Sequence, residues 1–334
     1  MNTTLGDLAQ SFMLQRRGST LKHDIHRLTQ ELSTGRVADT KSVLAGNFSY
    51  LTDIERDVKV LQGYKVATTE AAQFADTMQN TLERIQDNSS DLSNAMLLVS
   101  TSAVETVLPQ VVADSRANLG NLVSSLNVDF GGRSLFSGAA TDTAPLVSDE
   151  AVLTGLTAAV AGQTTAANIF AAAQAWFDDP AGFRAAVYQG SDTSLSPFTL
   201  SDVDRLNIDI RADDPVLRNL MMNTALGAIV SDAALGLDGT VQRAVIAQAG
   251  QNLLGAQDQL TKLRADIGFS QSRIQNVSTR NAAQTTSLEY ARTALLEADP
   301  YETATKLEDV QFQLQSLYSV TVRLSELSLL NFMR

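Results

Sequence analysis

The chain has 334 residues, of which 44% are apolar and 19% charged, enough to build cores and more than one packed unit is usual at this length. With 25 basic against 37 acidic residues the net charge is −12, which excludes nucleic acid as a first-choice partner, since Lys and Arg supply phosphate affinity. The absence of Cys excludes disulfides, thiolate catalysis and Cys-ligated zinc, and the only two histidines, His23 and His26, leave no stock for a His general base or a His₃ metal site.

Met1–Gln15 lacks a cationic start and an unbroken apolar stretch, so it does not read as a cleaved secretory signal. The longest uncharged run, Ala151 to Phe177, is too rich in Thr, Gln and Asn to read as a membrane span. The first helical signal is a heptad seam: Leu14, Leu21, Ile25, Leu28 and Leu32, with Gly18 where the stripe skips. His23 and His26 sit beside that seam, three apart and without a third ligand nearby, so they read as ordinary helix positions rather than a metal site. Breaks are expected around 34–48, at Ser33–Gly35 and Gly46. The stripe resumes at Leu51, Ile54, Val58 and Leu61, then Phe74, Met78, Leu82, Ile85, Leu92, Met96 and Val99. For 51–99 the seam fits an interface and an internal core equally.

Proline maps the rest. Residues 1–108 and 216–299 contain none, whereas four of the six fall within 145–215. Residues 142–214 also carry eleven acids against three arginines, so most of the excess negative charge lies there, in a solvated outer face. Within this stretch 164–177 reads as a short Ala-rich helix, and Phe183 to Tyr188 and Phe198 to Ile210 read as strands, with strict alternation over Leu206–Ile210. Asp178-Asp179 and Asp213-Asp214, each before a proline and without a calcium-loop pattern, read as solvated turn residues. Ser134 and Ser137 lack the elbow pattern and the His partner of a nucleophilic serine, so no catalytic residue is expected. After Asp299-Pro300, a helix-start signal, Leu307, Val310, Leu314, Leu317, Thr321 and Leu324 form a closing seam.

The fold class expected is mainly α: an elongated antiparallel helical rod of N- and C-terminal arms, with a small mixed α/β inserted domain at its tip. Residues 1–46 and 285–334 are the terminal coiled-coil arms, 47–140 and 215–284 the helical rod, and 141–214 the acidic insert. One narrow seam buries too little surface to hold the arms on its own, so they are expected to order on assembly. The interface candidates are Leu14, Leu21, Ile25, Leu28, Leu32, Leu307, Val310, Leu314, Leu317 and Leu324. Leu21→Asp or Leu317→Asp is expected to leave a folded monomer that does not assemble. No cofactor and no metal are expected.

Two segments carry a resemblance. Glu31-Leu32-Ser33-Thr34-Gly35-Arg36-Val37 is similar to the turn between the first two helices of bacterial flagellins and their hook-associated relatives, and Tyr318 to Leu330 is similar to the family's C-terminal helix. Gly132-Arg133-Ser134-Leu135-Phe136-Ser137-Gly138 resembles the "G-R-Y-L-F-S-G" segment of the hook–filament junction branch, with Ser134 in the place of Tyr. The resemblance implies a structural, non-enzymatic subunit of the bacterial flagellum, exported without a cleaved signal and located outside the cell. It implies as partners the chain itself in a ring or helical assembly, the first hook-associated protein on the hook side, flagellin on the filament side and an export chaperone. Neither nucleic acid nor membrane is implied. A filament flagellin is the alternative within the family; a secreted enzyme with its site in 142–214 and a cytoplasmic coiled-coil tether are the alternatives outside it.

Overall fold

The structure, a computed structural model, describes residues 5–44, 48–101 and 107–332. Its helices are α1 (Leu5–Thr34), the short α2 (Thr40–Val43), α3 (Ser49–Thr101), α4 (Val107–Leu126), α5 (Asp149–Val160), α6 (Ala166–Asp178), α7 (Pro215–Ile229), α8 (Gly239–Leu296) and α9 (Pro300–Phe332). Two antiparallel hairpins complete it: β1 (Asp129–Phe130) with β2 (Arg133–Ser134), and β3 (Phe198–Thr199) with β4 (Arg205–Leu206). The long helices occupy the proline-free stretches, and prolines open three elements at the first turn: Pro215, Pro300 and the π-helical turn Pro180–Arg184. Each is preceded by an aspartate whose carboxylate accepts from a backbone N–H of that first turn: Asp214 from Val216, Asp299 from Tyr301, Asp179 from Ala181. The expected mainly helical class with a small strand-bearing region is what the chain adopts.

The chain divides into two compact units, residues 1–62 with 282–334, and residues 63–281. In the first, α1 and α9 pair antiparallel. Gly18 lies midway along the contact, where a Cβ would be 3.4 Å from Leu317 Cδ2. In the second, α3 and α8 run antiparallel through Gln271–Asp76, Arg264–Gln86 and Ser93–Gly250 hydrogen bonds. Met96 of α3 sits against Gly227 of α7 and Gly250 of α8, with Ser115 of α4 on the other side of Gly227. A Cβ on Gly227 would come within 2.3 Å of Met96 Cε and 2.7 Å of Ser115 Oγ, so a larger residue would force these side chains to shift. The stripe from Leu51 to Val99 is buried within the single chain, and its part from Phe74 onward belongs to the continuous core of the second unit.

Two expectations for the insert need correction. First, Phe183 to Tyr188 is not a strand. The segment runs through the π-helical turn into a further helical turn, and only Tyr188 makes a bridge, to Leu146. Phe183 and Val187 are both buried, four apart, a helical spacing that packing against Phe177 and Trp176 enforces over β propensity. In 206–210 the alternation is real, since Leu206, Ile208 and Ile210 are buried and the residues between them exposed, yet only Leu206 joins a ladder. Second, the insert does not stand at a tip. Its β3–β4 hairpin lies back along the α3/α8 pair: the Phe198 ring is 5.5 Å from that of Phe74, and Asn281 Nδ2 donates to Leu200 O at 2.9 Å. Asp204, at the hairpin turn, accepts from both Arg273 and Arg280 of α8.

That clasp has a pH dependence. The Arg280 hydrogen bond, aided by Ser201 and Arg273, holds the Asp204 carboxyl below the usual carboxylate range. A lowered carboxylate pKa stabilises the fold above the unfolded value and loses that contribution as pH falls through the folded one. Amide protection over 198–206 is therefore expected to drop below about pH 4, by hydrogen exchange, and Arg280→Met should reduce that drop, leaving the share carried by Arg273 and Ser201. Equal acid sensitivity in the variant would refute it.

Candidate assembly surface

Chemistry at the arms begins with the Glu31–Val37 turn. Gly35, at φ 66°, ends α1 as its N–H reaches back to Glu31 O at 2.8 Å. The chain then pairs with the segment before α9: Val37 N donates to Leu296 O at 2.9 Å and Ala298 N to Gly35 O at 3.0 Å. Glu31 is buried, and its Oε1 accepts from Arg27 at 3.1 Å and from the Ala38 N–H at 3.0 Å. The heptad reading missed Glu31 because it fixes a turn and contributes nothing to a seam. Glu31→Ala is expected to cost about 1 kcal/mol, since the Ala38 N–H loses its acceptor and Arg27 is left with Asp24 alone, with Glu31→Gln costing less because it keeps the acceptor. Urea melts of the two variants check this.

Along α1 and α9 the seam closes only in part. Leu21 and Leu28 are buried and Leu14, Ile25, Leu307, Val310, Leu314 and Leu317 half-buried, whereas Leu32 is 42% and Leu324 37% exposed. Further apolar side chains stand in solvent on the same helices: Phe12 at 72%, Met13, Phe312 at 70%, Tyr318, Val320 and Val322. At 100° per residue, Phe312 points about half a turn from the seam of α9, Tyr318 and Val322 lie on one flank and Val320 and Leu324 on the other. A helix with apolar groups on every side is one whose every side becomes buried. His23 and His26 are exposed, and among the described residues no three His, Asp or Glu converge as a metal site. No helix among the described residues is long and apolar enough to cross a membrane.

The segment Gly132–Gly138 has a different role: it is the doorway of the insert. Gly131-Gly132 forms the tight turn of the β1–β2 hairpin, and Arg133 Nη1 binds Glu70 Oε1 of α3 at 2.5 Å. Leu135 and Phe136 are buried in the core, Ser137 O accepts from Ser191 N at 2.8 Å, and Phe136 O from Ala212 N at 2.9 Å. Gly138 has φ 64°, and a Cβ there would lie 2.5 Å from Thr193 O. Ser134 and Ser137 are buried, and their hydroxyls have no hydrogen-bond partner among the described residues. The motif thus ties the strand leaving α4 to two loops of the insert.

Beside this doorway lies an ion cluster that corrects the reading of Asp213 as a solvated turn residue. Its side chain is 4% exposed and held by Arg184 Nη2 at 2.6 Å on one oxygen and Arg211 Nε at 3.1 Å on the other. Arg184 also reaches Asp192 at 2.5 Å, and the Asp213 hydrogen bond keeps the guanidinium more firmly protonated than usual, against the pull of burial. Burial, helped by the Asp213 charge, pushes the Tyr188 hydroxyl up to about 12. Asp178, by contrast, is exposed and pairs with Arg218 at 3.3 Å. Nothing in the spacing of Arg184, Arg211 and Asp213 announces this cluster, since its members meet only once the insert has folded.

Comparison with known proteins follows the same geography. The bacterial flagellin N-terminal helical region matches residues 7–141, up to the doorway, and the bacterial flagellin C-terminal helical region matches 251–333. No curated protein sequence matches the chain. Among solved structures it is similar to a candidate flagellar hook-associated protein from Vibrio parahaemolyticus, at 14% identity over 73% of this chain and 95% of that one, with a TM-score of 0.47; so distant a likeness carries no weight here. With both of the family's helical regions matched at their own ends, together well over half of its residues, the chain belongs to the bacterial flagellin family and is a structural subunit of the flagellum.

Proposed function

We propose that this subunit is a hook-associated junction protein, most like hook-associated protein 3, which joins hook to filament through coiled-coil packing of its arms. The observation that carries the reading is the Gly132-Arg133-Ser134-Leu135-Phe136-Ser137-Gly138 segment, which resembles the junction branch of the family and is built into the insert's doorway. The exposed apolar groups around α9 support a contact with neighbouring copies, made by those groups together with Leu14, Ile25, Leu32, Leu307, Val310, Leu314, Leu317 and Leu324, whereas Leu21 and Leu28, expected at the same interface, are already covered within the chain. In this proposal residues 1–46 and 285–334 are the arms that settle on assembly, 47–140 and 215–284 the rod, and 141–214 the part that faces solvent. The first hook-associated protein lies on one side, flagellin on the other, and a chaperone accompanies the chain during export without a cleaved signal. The filament subunit itself is the second reading, favoured by the same family match.

Immunogold electron microscopy of motile cells carrying a tag at the exposed Ser196–Pro197 turn separates them. A single band where hook meets filament is the expected result. Label along the whole filament makes the chain a flagellin, and label confined to the cell interior refutes both.

A further inference from the structure

Between α6, α7 and α8 lies an open cleft of about 570 Å³, within the size range of small-ligand sites. One wall is a continuous face of α6 that includes Phe170, Ala171 and Gln174; the other is made by Asn219 of α7 and Gln248 and Asn252 of α8 with further small or apolar groups. None of the lining side chains is charged, which sets it apart from a chain that is strongly acidic elsewhere. Its amides form a ladder running into the protein: Gln248 Nε2 donates to Asn252 Oδ1 at 3.0 Å, Asn252 Nδ2 to Asn223 Oδ1 at 3.0 Å, and Asn223 Nδ2 to Asn219 Oδ1 at 2.6 Å. Asn223 is fully buried, so the ladder is fixed from its inner end and holds the orientation of the two amides at the surface.

The ladder leaves a definite set of groups for a ligand. Asn219 Nδ2 makes no hydrogen bond among the described residues, nor does Gln248 Oε1; across the cleft Gln174 gives its Nε2 to Asp178 at 2.7 Å and keeps Oε1 open. Two acceptors and one doubly protonated donor, fixed around an aromatic ring and alanine walls, demand a ligand that both donates and accepts in close succession. No charged side chain lines the cleft to pair with an ion, and an aliphatic ligand would strand the amides without partners. Neighbouring hydroxyls on a ring whose C–H face can lie on Phe170 meet each requirement. We propose that the α6–α7–α8 cleft binds a neutral polyhydroxylated ligand, a saccharide. The site is independent of the arms and of the junction reading.

Saturation-transfer NMR on the full chain with maltotriose, cellotriose and the anionic trigalacturonate tests it. Transfer to at least one neutral sugar is expected and none to the anionic one. Two substitutions spare the fold: Ala171→Arg fills the cleft from an exposed position, and Asn219→Asp keeps the acceptor that Asn223 uses while removing the donor. Both are expected to weaken binding by about tenfold or more. No transfer to either neutral sugar, equal transfer to trigalacturonate, or binding unchanged in both variants would each overturn the proposal. Retention of the chain on a surface coated with the bound sugar identifies an anchored glycan as the source, and competition by free sugar without retention identifies a soluble one.

Discussion

Chains carrying Phe312→Asp together with Val322→Asp are expected to fold with undiminished helix content and to fail to assemble. Both side chains are exposed in the single chain, Phe312 at 70% and Val322 at 56%, so an aspartate there disturbs no internal contact. If neighbouring copies cover these groups, each substitution forfeits about 1.5–3 kcal/mol of apolar burial and adds the desolvation of a carboxylate. Two such losses raise the critical concentration for assembly by about a hundredfold or more. Incorporation of the tagged variant into flagella, read by the same immunogold label, measures this, with circular dichroism of the purified chain as the control for folding. Incorporation at the normal level would show that the outer sides of α9 remain in solvent and would remove the assembly role from them. Leu21 is the poorer place for such a test, since it is buried against its own chain and a charge there damages the monomer as well.

The second large effect is expected inside the insert. Asp213→Ala takes the buried carboxylate from both guanidiniums, leaving Arg184 only the exposed Asp192 carboxylate and Arg211 only the Asp192 backbone carbonyl. Losing the shared carboxylate costs about 1–3 kcal/mol, less than for a fully buried pair, because the two guanidiniums are 33% and 25% exposed and stay partly hydrated. Trp176, the only tryptophan in the chain, packs edge-on against Phe177 and Phe183 in the same region, so its fluorescence reports unfolding of the insert without interference from the arms. The urea midpoint read from Trp176 should fall sharply in Asp213→Ala and less in Asp213→Asn, which retains an acceptor. A midpoint unchanged in both would mean that the cluster is a surface ornament despite its burial.

What the sequence reveals of this molecule depends on the range of the interaction. The long helices are legible because absence of proline, a heptad stripe and a capping aspartate act within a few residues of themselves, and α1, α3, α8 and α9 follow from them directly. A further local signal went unread: Ser148 before Asp149-Glu150, with Val152, Leu153, Leu156 and Val160 at helical spacing, announces α5, and Ser148 Oγ does accept from Ala151 N at 3.2 Å. The π-helical turn at Pro180–Arg184 was not legible, because aromatic contacts with Phe177 and Trp176 override the strand propensity of Phe183 to Tyr188. Nor were the Asp213 cluster and the Asp204 clasp, whose partners lie as much as 76 residues away along the chain. The candidate surface is legible as a seam, but the seam shows only the side of α9 that faces α1; Phe312, Val320 and Val322 fall outside any single stripe and gain meaning only from their exposure.

The hydrogen bond from Ala212 N to Phe136 O, 2.9 Å long, joins the first strand leaving the helices to the last stretch before they resume. The polypeptide departs and comes home through one gap, so whatever is threaded between Gly138 and Arg211 is, for the helices on either side, a loop whose ends are already met. Changes confined to the exposed turns of that segment alter what the surface displays, whereas α5 and α6 pack on α7 and share its core, so they are bound to the framework. A subunit made this way can diversify its outward face at the turns while the helices beneath them keep the fit that its neighbours require.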